Sequence, residues 1–162
     1  MADKVAVVKT SLWIVVFGLL ITAVYLSWQQ QHIVIKSQNI DCRWQSDSFI
    51  LKWRHSVEKQ YWQEYYQQQG DQLHLYQTFM QSFGAGVPSA GKSIPAPKGY
   101  VGLSSDVLLP QLNWVVSRNM QGQIIDTDKA FAIYQKVPNY TEVQIAIEKK
   151  PRWFWLCKET CL

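Results

Sequence analysis

The residues able to do chemistry gather in two short runs. The first is His55-Ser56-Val57-Glu58, with Glu64 six residues beyond Glu58. An imidazole, a hydroxyl and carboxylates are the residue types of a base, a nucleophile and an orienting group, so hydrolysis is the chemistry to test. The second runs from Gly86 to Ser93, GVPSAGKS, and fits the phosphate-binding pattern G-x4-G-K-[ST]. There, glycines free the backbone N–H groups to wrap phosphates, while the lysine and hydroxyl reach phosphate and magnesium.

The elements that must position these residues weaken both readings. In FILKWRHSV, the residues Phe49, Leu51, Trp53, His55 and Val57 alternate with Lys52, Arg54 and Ser56. Period two predicts a half-buried strand over 49–57, with His55 and Ser56 on opposite faces and out of hydrogen-bond reach. No G-x-S-x-G elbow presents the serine. A phosphate loop must open into a helix, yet Pro95 and Pro97 follow Ser93 at once, and Pro95 would stand inside that helix. Nucleotide is therefore not an expected ligand.

The segments YWQEYYQ and LHLYQTFM flank the turn residues Gln68 to Asp71, which predicts a hairpin over 61–80. A loop from Gly84 to Gly99 holds four Gly and three Pro in 16 residues. Further strands are expected at 100–103, 112–117, 130–136, 142–148 and 153–156. Seven or eight short strands separated by turns predict a mainly β fold, a compact antiparallel sandwich or barrel.

The chain has 162 residues, which suffices for one membrane span and one ordinary domain and excludes a two-domain enzyme. Its formal charge is +4, with the basic residues scattered, which argues against nucleic acid as a partner. Eight Trp and eight Tyr suit half-buried strands and membrane-interface or contact surfaces. From Leu12 to Trp28 the sequence is free of charge over 17 residues, reaching about 26 Å as a helix. Trp13, Tyr25 and Trp28 stand where interfacial aromatics belong, and Lys9 can snorkel to the headgroups. No small-residue pair marks a signal-peptidase site near the end of the run, so an uncleaved anchor is expected. The expected organisation is a cytoplasmic tail over 1–11, a transmembrane helix over 12–28, a polar link over 29–32 and an extracytoplasmic β domain over 33–162. Lys4 and Lys9 precede the helix while Lys36 and Arg43 follow it, so orientation rests on the simpler arrangement of a short tail inside. Cys42, Cys157 and Cys161 all lie in the domain. At least one disulfide is expected there, either Cys157 with Cys161 or Cys42 with one of them. No metal and no cofactor are expected, since the cysteines and histidines lack zinc-site spacing.

The run FILKWRHSVEKQYWQEYY followed by QSFGAGVP resembles the signature of a family known as domain of unknown function 1850. The resemblance covers 49–88 and carries the motif onto His55, Ser56, Val57, Glu58, Glu64, Gly84, Ala85, Gly86 and Pro88. Members of that family are encoded beside, or in association with, permeases of tripartite ATP-independent periplasmic (TRAP) transporters of the TAXI type. The resemblance implies a small accessory subunit in the bacterial inner membrane. Its partners would be a multi-span permease, a periplasmic substrate-binding protein and the lipid bilayer. The alternatives are a membrane-tethered hydrolase using His55, Ser56 and Glu58, and a module whose aromatics hold a ligand or glycan. Gly84 and Gly86 free the backbone to turn sharply, Pro88 stiffens the exit, and the histidine and carboxylates can hydrogen-bond that loop.

Overall fold

Alternating apolar and polar residues dictate most of the backbone. The computed structural model describes residues 2–82, 91–127 and 129–162, with the side chains of the first helix described at Trp13 and from Val15 onward. The chain divides into two compact units: one comprises the residues up to Gln30 with Lys149–Lys158, the other Gln31–Glu148 with Glu159–Leu162.

The strands β1 (Gln29–Lys36), β2 (Asp41–Arg43), β8 (Gln111–Val116) and β11 (Thr141–Pro151) form a four-stranded sheet in the order β2-β1-β11-β8. A seven-stranded sheet holds β3 (Ser48–Arg54), β4 (Tyr61–Gln69), β5 (Gln72–Met80), β6 (Ser93–Ile94), β7 (Val101–Leu109), β9 (Gln123–Asp126) and β10 (Lys129–Phe131). Its order is β10-β9-β3-β4-β5-β7-β6, antiparallel throughout. One core draws on both sheets: Ile33, Ile35, Val116, Val143 and Ile145 from the smaller, and Phe49, Leu51, Tyr66, Leu73 and Ile124 from the larger. Each such side chain contributes about 1.5–3 kcal/mol by leaving water. The expected mainly β fold of antiparallel sheets is what the chain forms.

The hairpin expected over 61–80 is β4 and β5. Gln69 faces Gln72 across a two-residue turn in which Gly70 takes a φ of +64°, a value that favours glycine. Several expectations are corrected. Residues 29–32, read as a polar link, are the first four of β1. The strand expected over 49–57 ends at Arg54, so His55, Ser56 and Val57 leave the sheet. The strand expected over 130–136 stops at Phe131. The short helix α2 (Ile133–Lys136) follows it, ending ahead of Pro138, which disfavours helical backbone in the residue before it. The strand expected over 153–156 is a helix, α3 (Arg152–Cys157). Its apolar run WFWL has no alternation, and periodicity alone does not separate a strand from a helix there.

A disulfide joins Cys42 of β2 to Cys161, with Cα atoms 5.1 Å apart. The chain end lies along β2: Arg43 N donates to Glu159 O at 2.8 Å, and Cys161 N donates to Arg43 O at 3.1 Å. Of the alternatives, Cys42 thus pairs with Cys161, and Cys157 is a free, exposed thiol.

The smaller unit contains α1 (Ala2–Ser27) and α3. The segment expected to span a membrane falls within α1 apart from Trp28, and the tail expected over 1–11 is helical from Ala2. Among the described residues no helix is long and apolar enough to cross a membrane. Phe17, Leu19, Leu20, Ile21 and Val24 are all more than half exposed. At the end of α1 the chain turns, with Trp28 N donating to Tyr25 O, and is joined to α3: Arg152 N donates to Trp28 O at 2.9 Å. Trp155 Nε1 donates to Gln30 O at 3.0 Å, and the Arg152 guanidinium lies 3.9 Å from the centre of the Tyr25 ring.

Candidate docking site at the β3–β4 turn

Arg54 and Tyr61 are the last cross-strand pair between β3 and β4, so His55 to Gln60 form a six-residue turn. His55 N donates to Gln60 O at 2.8 Å, and Lys59 N donates to His55 O at 3.1 Å. Lys59 takes a φ of +59°, in the left-handed region, and its carbonyl accepts from Arg54 Nε at 2.9 Å. Side chains complete the clasp. His55 Nδ1 faces the Glu58 carboxylate, and Val57 N reaches the same ring nitrogen at 3.4 Å. The His55 ring stacks on Trp62, centroids 5.0 Å apart at an angle of 19°. With imidazole, indole and carboxylate engaged in this way, the turn offers outward its tip, Ser56 and Val57, the latter 69% exposed.

That geometry bears directly on hydrolysis. Glu58 engages Nδ1, the ring nitrogen that an orienting carboxylate would hold, but among the described residues the Ser56 hydroxyl has no hydrogen bond to His55. Ser56 contributes instead its backbone carbonyl, which accepts from Lys59 Nζ.

Glu64 belongs to a different environment. Trp62, Glu64 and Tyr66 alternate onto the inner face of β4, with Glu64 opposite Leu51 of β3 and Thr78 of β5. Tyr66 Oη donates to Glu64 Oε2 at 2.7 Å. Burial pushes the Glu64 carboxyl above the ordinary carboxylate range, an effect that the Tyr66 hydrogen bond only partly offsets. Burial, and then the neighbouring Glu64, push the Tyr66 phenol upward. The structure therefore brings His55 and Glu58 together, sets Glu64 one inner-face position beyond the tryptophan that His55 stacks on, and turns Ser56 and Val57 to solvent. Gly84, Ala85, Gly86 and Pro88 lie outside the described residues. Trp62 is the residue that sequence reasoning missed; its place two residues before Glu64 in an alternating strand was the available signal.

Of the GVPSAGKS run, Gly91, Lys92 and Ser93 are described. Ser93 and Ile94 pair with Leu103 and Gly102 as β6, so the chain enters a strand where a phosphate loop would open a helix. Gly91 has a φ of +143°, and a Cβ there would meet Ser104 O at 2.5 Å. This glycine is required by close packing on β7. Among the described residues there is no group of three or more His, Cys, Asp or Glu arranged to hold a metal ion.

The exposed, internally braced turn and the antiparallel sheet behind it define a β domain with a presented loop. Residues 49–133 match the family model of the domain of unknown function DUF1850, more than half of the chain, and the protein belongs to that family. No curated protein and no solved structure matches the chain.

Proposed function

We propose that this protein is an accessory, membrane-anchored subunit of a TAXI-type TRAP transporter, a system that moves organic anions using an ion gradient. In this reading α1 crosses the bacterial inner membrane once, and the β domain works on the periplasmic side. The domain assists permease assembly or docks the substrate-binding protein. Family membership supports the transporter context, because members are associated with TAXI-type permeases.

The observation that carries the reading is the state of the His55–Glu58 turn. Its histidine and glutamate brace the loop and its tip, Ser56 and Val57, faces solvent, an arrangement that suits contact with another protein. For the anchor, the support is an uncharged run of 17 residues, all but Trp28 within α1, whose apolar side chains are exposed on several sides, as a lipid or helical environment demands.

The test is deletion of the gene with uptake of the transported anion as readout and permease abundance in the membrane as control. Uptake should fall severely with the permease still inserted, and the wild-type chain should restore it. A chain carrying His55→Ala should restore it poorly, and one carrying Lys92→Ala fully. Normal uptake in the deletion strain contradicts the proposal.

A further inference from the structure

The segment from Lys149 to Lys158 has properties that the docking turn does not use. It reads KKPRWFWLCK, with four cations and no carboxylate in ten residues. Within α3, Trp153, Leu156 and Cys157 stand at helical spacing i, i+3, i+4 and form one exposed face, with Trp153 52% and Leu156 72% accessible. Trp155, on the other side, is buried and fixed through Nε1 to Gln30 O and Lys150 O. Phe154 is flanked by the ammonium groups of Lys150 and Lys158, 5.8 and 5.7 Å from its ring centre. The Arg152 N to Trp28 O hydrogen bond fixes the start of α3 at the end of α1, beside the exposed Tyr25 and Trp28.

We propose that α3 is a membrane-surface contact whose occupant is the headgroup region of a bilayer rich in anionic lipid. Tryptophan and leucine bury their apolar bodies at the acyl boundary, while lysine and arginine meet lipid phosphates. Charge complementarity selects this occupant: Lys149, Lys150 and Arg152 fall within four residues that hold no carboxylate, and an anionic leaflet supplies counter-charge to that stretch where a purely apolar partner surface would not. The contact rests on the reading of α1 as an anchor for its depth in the membrane. Its own surface chemistry does not depend on that reading.

The native thiol makes the test direct, since Cys42 and Cys161 are joined and Cys157 is free and exposed. The full chain is labelled at Cys157 with an environment-sensitive fluorophore and reconstituted into vesicles of phosphatidylcholine with or without phosphatidylglycerol. Lipids spin-labelled near the headgroup or deep in the chains serve as quenchers. The expected result is a blue-shifted emission that shallow quenchers reduce about twofold or more, with weaker quenching by deep labels and a weaker effect without anionic lipid. Trp153→Ser with Leu156→Ser should abolish that quenching in a protein that is still folded by circular dichroism. In parallel, Gly18→Cys in a Cys157→Ser background reports on α1. Deep quenching at position 18 with a water-exposed fluorophore at Cys157 overturns this inference and leaves the anchor standing. Quenching at Cys157 without quenching at position 18 supports the surface contact and overturns the anchor. Quenching at neither position overturns both.

Discussion

Glu64 sits where its charged form is disfavoured, and this fixes the sign of a pH effect. Below the ordinary carboxyl value of 4.5 the side chain is protonated in folded and unfolded chains alike, and its contribution to stability is fully present. As pH rises through the raised folded value, the unfolded chain gives up its proton first and stability is lost. Glu64→Gln keeps an acceptor for the Tyr66 hydroxyl and does not ionise. The melting temperature of the variant relative to the parent should therefore climb as pH rises above the ordinary carboxyl value of 4.5. Thermal scans at several pH values check this; a gap that is constant or shrinks with pH contradicts the assignment. The same residue measures how far sequence reading reaches. Glu64 was identifiable as a motif position, but its burial beside Tyr66 depends on β3 and β5 closing over β4, and that information is long-range. His55 shows the converse. Period two continues through His55 and Val57 on paper, whereas the chain leaves the sheet after Arg54 because six residues closed by two backbone hydrogen bonds make the turn to β4.

Among the elements, the hairpin over 61–80 was legible because Gly70 and Asp71 interrupt two alternating runs, a local signal with a local cause. The segments at 130–136 and 153–156 were not. Both combine few residues with continuous apolar or mixed character, and tertiary context chose helix where propensity allowed either. The need for a disulfide was legible from three cysteines in one domain, but the pairing was not, because it requires knowing that the chain end runs along β2. The Cys42–Cys161 link spans 119 residues. Cys161→Ser should lower stability by about 2–4 kcal/mol through release of the unfolded chain and of the C-terminal segment. Urea denaturation of the variant and of the parent checks the value, and non-reducing mass spectrometry of the parent should find one free thiol, at Cys157. Three free thiols, or an unchanged denaturation midpoint, would contradict this account of the chain end.

At the scale of the whole molecule, the proposed topology joins an antiparallel β domain to an N-terminal helix that crosses the membrane. It predicts that a reporter fused after Leu162 is active when it requires the periplasm and inactive when it requires the cytoplasm. The reverse pattern contradicts the topology. Contact between the exposed tip of the β3–β4 turn and a transporter partner, as proposed above, is read out by site-specific photo-cross-linking in cells. A photo-reactive amino acid replaces Val57, and in a separate strain Tyr140, which is comparably exposed at 71% and lies in the turn before β11. After illumination of intact cells, adducts are purified in mild detergent and identified by mass spectrometry. The account predicts an adduct from position 57 to the multi-span permease or to its substrate-binding protein, well above that from position 140. No such adduct from position 57, or equal adducts from both positions, would contradict it.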